Sequence, residues 1–391
     1  MIIKPTIRNN IFTNAHPLGC KQNVLNQITE AKSKEDFTGP KNVLIIGGSS
    51  GYGLSSRIAL AFNANANTIN VSFESAPKGK RSGTAGWWNN EFFREFAKET
   101  NNLHTDFVGD AFGAEMKQNI VNHIKETVGQ VDLVIYSLAA GARKNEETGE
   151  VVRSHIKTIG DPEQGKTVDL ASMTVNDLTV HPANEQEVQD TVYVMGGSDW
   201  NDWIQTLDQN NLLSDNCKTI SYTYIGGPTT QSIYRGGSMG KAKEDLEHNA
   251  KQMNTLLQTK YNGEALISSS KAVATKASVF IPQMAIYVSC LYDTMTKHNV
   301  HETIFSHKYR LFSEMVYGTK RILDENNIIR LDHLEMEDTI QNETIQLMHN
   351  ISEKEFFKLD GTQLFIEEIF QLNGFNHPFI NYDEDVDLDK L

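Results

Sequence analysis

The stretch VLIIGGSSGYGLSSR, Val43 to Arg57, constrains the fold of this chain more than any other. Val43 to Ile46 is a continuous apolar run without helical period, the pattern of a strand buried on both faces in a parallel sheet. Gly47, Gly51 and Gly53 follow at the corner where a helix should begin. Without Cβ atoms they permit φ > 0 and let the backbone close on a bulky anion, with the N-terminal N–H groups of the following helix aimed at it. A tight strand-to-helix turn that binds nothing would use the same glycines, so the turn alone does not decide.

A second strand, TINVSF, ends at Glu74, 21 residues past Gly53. An acidic residue near that offset is what a dinucleotide site uses to hydrogen-bond the adenosine ribose. A carboxylate there repels a 2′-phosphate, so NADH is expected over NADPH, with Lys78, Lys80 and Arg81 close enough to soften the preference. Further alternation of strands and helices from Lys41 to Gly141 predicts a Rossmann-type, doubly wound parallel sheet with right-handed crossovers. Gly47, Glu74, Asp110 and Leu138-Ala139 all fall at strand carboxyl ends, where such sheets gather ligands.

From Arg143 to Asn216 the pattern turns polar and turn-rich, and this segment, 143–216, is expected to be an insertion covering the substrate site within a single domain, 1–391. The sheet is expected to resume at Lys218, and the part beyond His298 to be mostly helical, ending in the acidic tail NYDEDVDLDKL as a solvated terminus. The apolar stretch SVFIPQMAIYVSCLY is shorter than the about 20 residues that span a bilayer and carries Pro282, so it reads as a buried helix rather than a membrane segment.

The formal net charge of −14 argues against nucleic acid as a partner. Cys20, Cys217 and Cys290 are odd in number and far apart, which excludes a disulfide framework and points to a reducing cytoplasm. His301 and His307 have the wrong spacing for a two-histidine zinc helix, and no metal is expected.

Tyr234 precedes a glycine-rich turn, and Lys243 stands nine positions on, in the next helix. A phenol is a donor at neutral pH, and a neighbouring ammonium would lower its pKa, giving an acid usable beside a nicotinamide. Short-chain dehydrogenases space this pair by four; a spacing of nine requires the Tyr before the helix and the Lys about two turns into it.

With MIIKPTIRNNIFTNAHPLGC, GTAGWWN, GDAF, YSLAAG, VMGGSDWNDWI, SYTYIGG, YRGGSMGKAKEDLE, KAVATKAS and NGFNHPFINYDEDVDLDKL in order from end to end, the chain resembles the trans-2-enoyl-CoA/enoyl-ACP reductases of the FabV type. It departs from their pattern at Ala140-Gly141, where Ser-Pro is usual. The resemblance implies a monomeric, NADH-dependent enzyme that reduces the C2=C3 double bond of an enoyl thioester carried on coenzyme A or acyl carrier protein, the last reductive step of fatty-acid elongation. It implies Tyr234 as proton donor, Lys243 on the cofactor and Tyr224 at the thioester carbonyl, with Tyr222 a competitor on the same strand face. Gly47, Gly48, Ser49, Ser50, Gly51, Tyr52, Phe73, Glu74, Asp110, Ala111, Leu138, Ala139, Val273, Ala274 and Thr275 would line the dinucleotide. Lys78, Lys80, Arg81, Arg235 and Lys241 are candidates to meet the anionic carrier. A carbonyl reductase or a catalytically silent dinucleotide sensor on the same scaffold are the alternatives.

Overall fold

The computed structural model describes residues 1–275, 278–279 and 281–391. Seven strands form the central sheet: β1 (Asn42–Ile46), β2 (Asn67–Ser72), β3 (His104–Val108), β4 (Val131–Tyr136), β5 (Leu213–Thr223), β6 (Glu264–Ser269) and β7 (Ile329–Arg330). Their order across the sheet is β7-β6-β5-β4-β1-β2-β3. All neighbours are parallel. This is the doubly wound arrangement, with its switch point, and hence its ligand crevice, between β1 and β4.

Alternation along the strands splits the core between the two sheet faces. Leu44, Ile46 and Val134 pack with Trp200 and Trp203. Val43, Ile45, Leu133 and Ile135 pack with Leu311 and Phe312 on the other side. Each such side chain contributes about 1.5–3 kcal/mol, so the strand ends that carry the site are held by a core that needs no ligand.

Between β4 and β5 lie two antiparallel hairpins, Ala142–Lys144 with Val151–Arg153 and Glu163–Asp169 with Thr174–Val180, then the helices Glu185–Met195 and Ser198–Gln209. β5 begins at Leu213, earlier than the sequence suggests, and its register on β4 shifts between Leu213 and Lys218. That irregularity carries the polar residues Ser214 to Asn216 and hides the strand start.

Within SVFIPQMAIYVSCLY the helix Met284–Lys297 begins at Met284. Gln283, at φ 62°, occupies the left-handed region and ends any helix approaching from upstream. Phe280, like Lys276 and Ala277 of the KAVATKAS motif, lies outside the described residues. Among the described residues no helix is long and apolar enough to cross a membrane.

The acidic tail is not simply solvated. Val386 is buried with Ile3 and Phe375, its N–H donates to the Met1 carbonyl at 3.0 Å, and Lys4 pairs with Asp383 at 2.6 Å. The apolar side chain at Val386 docks the segment while its acidic neighbours stay at the surface.

Candidate active site

At the end of β1, Gly47 (φ 96°) and Gly51 (φ 54°) take the left-handed conformations that favour glycine. A Cβ on Gly53 would stand 2.0 Å from the Gly47 carbonyl oxygen, so the turn closes this tightly only with glycine there. The helix Gly51–Asn63 starts without a side-chain cap from Ser50, leaving the first-turn N–H groups uncapped by it. A polar foundation holds the turn from beneath. Gly48 N–H donates to Asn70 Oδ1 at 2.8 Å and Asn70 donates to Asp106 at 2.8 Å. Asp106 in turn pairs with Arg57 at 2.6 Å, both buried.

Glu74 faces this turn from the end of β2. Its carboxylate accepts from Ser49 Oγ at 2.6 Å and from the Thr84 hydroxyl. Gly86 makes room for it, since a Cβ there would fall 1.9 Å from Glu74 Oε1. Beside it Phe73 is 80% exposed. Asp110 accepts from Phe112 N–H at 3.0 Å, with Ala111 buried behind it. Leu138 and Ala139 follow β4, whose end is fixed by the Ser137 N–H bond to Ile46 at 2.8 Å.

The loop after β6 completes this side. Thr275 Cγ2 lies 4.0 Å from the Cβ position of Gly51, and Tyr52 Oη donates to the Lys271 carbonyl at 2.6 Å. Val273 and Ala274 are buried, with Ala274 N–H bonded to Tyr292 Oη at 3.0 Å. Tyr52 thus ties one loop to the other, and its hydroxyl is already engaged. Its ring lies 6.0 Å from that of Tyr222, and the buried ammonium of Lys308 sits 3.6 Å from the Tyr222 ring centroid and 4.2 Å from that of Tyr52.

Tyr234 stands four residues ahead of the helix Ser238–Tyr261, and Lys243 is in its second turn. Gly237 and Gly240 permit the approach, because Cβ atoms there would meet the Ile233 carbonyl at 2.4 Å and the Arg235 carbonyl at 2.1 Å. The Tyr234 ring packs edge-on against Tyr224, centroids 4.7 Å apart. Among the described residues the Tyr234 hydroxyl and the half-buried Lys243 ammonium make no hydrogen bond or ion pair, leaving both for a ligand.

Electrostatics depart from the sequence expectation. Burial, reinforced by Glu335, pushes the Tyr234 phenol up rather than down. Lys243 is lowered to about 8, by burial and then Arg235, against the opposing pull of Glu247. The ammonium therefore does not acidify Tyr234 in this structure; a desolvated, neutral phenol is what the site holds.

The two strand tyrosines also separate. Tyr222 shares a hydrogen bond of 2.6 Å with Ser56 Oγ in the helix after β1, whereas Tyr224 lies past the last residue of β5 with its hydroxyl 3.0 Å from Glu335 Oε1. Strand alternation stops at Thr223, which is why the two do not share a destination. Of the basic candidates, Arg235 and Lys241 are paired with Glu247 and Glu244 at 2.6 and 2.9 Å, while Lys78, Lys80 and Arg81 are exposed.

Glu335 escaped the sequence reading. It is fully buried, with the Tyr224 and Tyr287 hydroxyls 3.0 and 2.6 Å from Oε1 and with the Ala272 N–H donating to Oε2 at 2.7 Å. Burial raises its pKa to about 7 against the three hydrogen bonds, with Asp332 adding to the rise. It sits in LDHLEMED, which looks like solvated surface, and no spacing signals it.

All these groups meet at the carboxyl edge of one sheet, across a switch point, and the class they define is a dinucleotide-dependent reductase. Residues 2–79 match the family model described as the NAD(P)H binding domain of trans-2-enoyl-CoA reductase, and residues 81–317 its catalytic region. The chain is 43% identical to an enoyl-[acyl-carrier-protein] reductase [NADH] of Photobacterium profundum and 42% identical to a trans-2-enoyl-CoA reductase [NADH] of Clostridium beijerinckii, covering all of this chain and 99% of each relative. A crystal structure of the Clostridium acetobutylicum trans-2-enoyl-CoA reductase in complex with NADH superimposes with a TM-score of 0.97 at 40% identity, over 100% of this chain and 99% of that one. The chain belongs to the trans-2-enoyl-CoA reductase family.

Residues 323–386 match a further model, described as an enoyl reductase FAD binding domain. The residues present do not fit a flavin. The two glycines of this segment, Gly361 and Gly374, are pressed on backbone, with Cβ positions 2.2 Å from the Ser289 and His16 carbonyl oxygens. A cavity bordered by Ile369, Leu372 and Asn373 measures about 240 Å³, below the roughly 300–1,000 Å³ of ligand pockets. The glycine turn, the Glu74 carboxylate and the unpartnered Lys243, by contrast, fit NADH.

Proposed function

We propose that this chain reduces the C2=C3 double bond of trans-2-enoyl thioesters at the expense of NADH, with Tyr234 as proton donor, Lys243 on the cofactor and Tyr224 at the thioester carbonyl. The observation that carries the reading is the packed Tyr224–Tyr234 pair at the dinucleotide crevice, with the Tyr234 hydroxyl unengaged. When bound, NADH supplies a hydride to C3. Negative charge then moves to the thioester oxygen, where a phenolic donor is worth more than in the ground state. A desolvated, neutral Tyr234 retains its proton until that charge develops, and C2 receives the proton from it directly or through water.

Gly47 to Tyr52 and Val273 to Thr275 would hold the dinucleotide's phosphates and nicotinamide end. Phe73, Glu74, Asp110, Ala111, Leu138 and Ala139 would hold its adenosine and ribose end. Glu74, already fixed by two hydroxyls, presents charge where a 2′-phosphate would stand, which favours NADH. The excursion 143–216 covers the site as part of one unit; in support, the Ser238 hydroxyl at the head of the Lys243 helix donates to the His155 carbonyl and accepts from Lys157 N–H. The exposed Lys78, Lys80 and Arg81 are the residues left to meet an anionic carrier, coenzyme A or acyl carrier protein. The reading includes a monomer in a reducing cytoplasm, with which the burial of all three cysteines agrees.

The test is NADH oxidation with crotonyl-CoA by the wild type and Tyr234→Phe, with NADH binding followed by fluorescence. Turnover should fall about 10²–10⁴-fold in the variant at unchanged NADH affinity. Reduction of acetoacetyl-CoA in place of crotonyl-CoA would support a carbonyl reductase, and NADH binding with neither reaction a sensor.

A further inference from the structure

Tyr224 has one hydrogen to give, and the structure raises the question of where it goes. Glu335 Oε1 is in hydrogen-bond distance of both the Tyr224 and Tyr287 hydroxyls. If the carboxyl is ionised it can only accept, so both phenols must donate to it and Tyr224 has nothing left for a substrate oxygen. If the carboxyl is neutral the count changes. Oε2 faces the Ala272 N–H, a donor, so the acid proton belongs on Oε1. Tyr287 Oη accepts from Gln341 Nε2 at 2.8 Å and spends its own hydrogen on Oε1. The acid proton is then directed to the Tyr224 oxygen, and the Tyr224 hydrogen is released.

We propose that Glu335 is a positioning residue for the reduction: as a neutral acid it donates to the Tyr224 oxygen, leaving the Tyr224 hydrogen for the thioester oxygen beside Tyr234. No proton changes its heavy atom in this arrangement; only the polarity of the chain from Glu335 through Tyr224 is set. The proposal rests on the assignment of Tyr224 to the thioester carbonyl. It also gives a function to the 323–386 segment, which delivers this carboxyl into the site.

The surroundings favour the neutral form. Burial holds the carboxyl up to about 7. The charged and titratable groups facing it are Asp332 and Arg330 from its own segment, Lys271 from the loop after β6, Tyr234 from the turn before the Lys243 helix, Tyr287 from the helix Met284–Lys297, Tyr224 past β5 and Tyr52 from the helix after β1. Asp332 opposes ionisation and the cations Arg330 and Lys271 promote it, so the carboxyl titrates in the physiological range instead of being locked in either state.

The test is the pH profile of kcat and KM with crotonyl-CoA and NADH for the wild type, Glu335→Gln and Glu335→Leu. In Glu335→Gln the amide oxygen takes the Ala272 N–H, and the NH2 group donates to Tyr224 at every pH. Wild-type kcat should fall about tenfold per pH unit as pH rises through about 7. Glu335→Gln should keep kcat within about threefold at pH 6 and lose that alkaline fall, while Glu335→Leu drops at least tenfold at all pH values with NADH affinity unchanged. A carboxylic C=O infrared band present at pH 6 in the wild type, absent from Glu335→Gln and bleached by pH 9, is the readout that a packing role would not produce. An alkaline fall unchanged in Glu335→Gln, or a loss of 100-fold or more at pH 6 with NADH still bound, overturns the role of Glu335. Absence of wild-type turnover at every pH overturns instead the reductase reading on which it rests.

Discussion

The turn at Gly47–Gly53 takes its shape from residues within a few positions of one another, on a foundation of Asn70, Asp106 and Arg57 directly below it. The chamber around Tyr224 is assembled from Tyr234, from Tyr287, and from Glu335 and Gln341, which arrive on three separate segments. Both lie at the carboxyl edge of the same sheet. The first has almost no freedom, because backbone atoms set it; the second has a hydrogen-bond chain whose direction is set by one carboxyl. Rigid backbone suits an invariant ligand such as a dinucleotide, and a directed hydrogen-bond chain suits a group whose charge changes during reaction.

The largest effect should come from breaking the rigid side. Gly53→Ala puts a methyl 2.0 Å from the Gly47 carbonyl oxygen and 3.0 Å from Gly48 Cα, both backbone atoms that cannot step aside. NADH affinity should fall at least 100-fold in a fluorescence titration. Gly141→Ala, where nothing lies within 4 Å of the new Cβ, is the control that should bind NADH as the wild type does.

The two regions should also respond to pH in opposite senses across the same window, about pH 4–7. Glu335 has a folded pKa of about 7, above its unfolded value near 4.5, so the folded state binds the extra proton. Its stabilisation is complete below pH 4.5 and is lost as pH rises to about 7, amounting to about 3 kcal/mol. His104, at the start of β3, hydrogen-bonds Thr68 at 2.9 Å and is lowered to about 4 by burial and then Arg57, against Asp106. That contribution is present above pH 6.5 and is lost as pH falls towards 4. Denaturant melts across pH 4–9 should show Glu335→Gln flattening the alkaline decline only and His104→Gln the acid decline only; a single variant that flattens both would abolish the distinction.

These regions differ equally in how far they can be read from the sequence. The strand, the glycines and the offset to Glu74 are local, so VLIIGGSSGYGLSSR and TINVSFE suffice to predict the glycine turn with Glu74 facing it. The placement of Tyr234 ahead of its helix follows from a spacing that no single helix face accommodates. Glu335 follows from nothing local, because its burial depends on how the helices after His298 pack against Met284–Lys297. The elevated Tyr234 phenol was likewise illegible, since charge sequence proximity suggests an ammonium effect while burial, a tertiary quantity, dominates. The two-residue β7 and the early start of β5 escape for the same reason: they are defined by a neighbour in the sheet rather than by their own pattern.

A smaller effect tests the ribose carboxylate. Glu74→Ala removes the charge that would repel a 2′-phosphate and frees Ser49 and Thr84 to bond one. The NADH-over-NADPH ratio of kcat/KM should fall about tenfold, equivalent to about 1.4 kcal/mol. An unchanged ratio would remove Glu74 from cofactor discrimination.

The smallest effect is expected at Tyr222, and its contrast with Tyr224 separates the two tyrosines of SYTYIGG. Tyr222→Phe deletes a hydroxyl bonded to Ser56, but Ser56 Oγ retains its bond to the Tyr52 carbonyl at 2.7 Å, so no polar atom is stranded. The loss should be about 1 kcal/mol of stability, with kcat within threefold of the wild type, because that hydroxyl is engaged with Ser56 rather than Glu335. Tyr224→Phe should reverse the pattern: it leaves Glu335 Oε1 still bonded to Tyr287 at 2.6 Å, sparing stability, while kcat falls at least tenfold through loss of the donor at the thioester oxygen. If instead Tyr222→Phe is the variant that loses turnover, the chamber has been drawn around the wrong phenol, and the division between a rigid cofactor edge and a proton-adjustable substrate edge no longer runs between β1 and the end of β5.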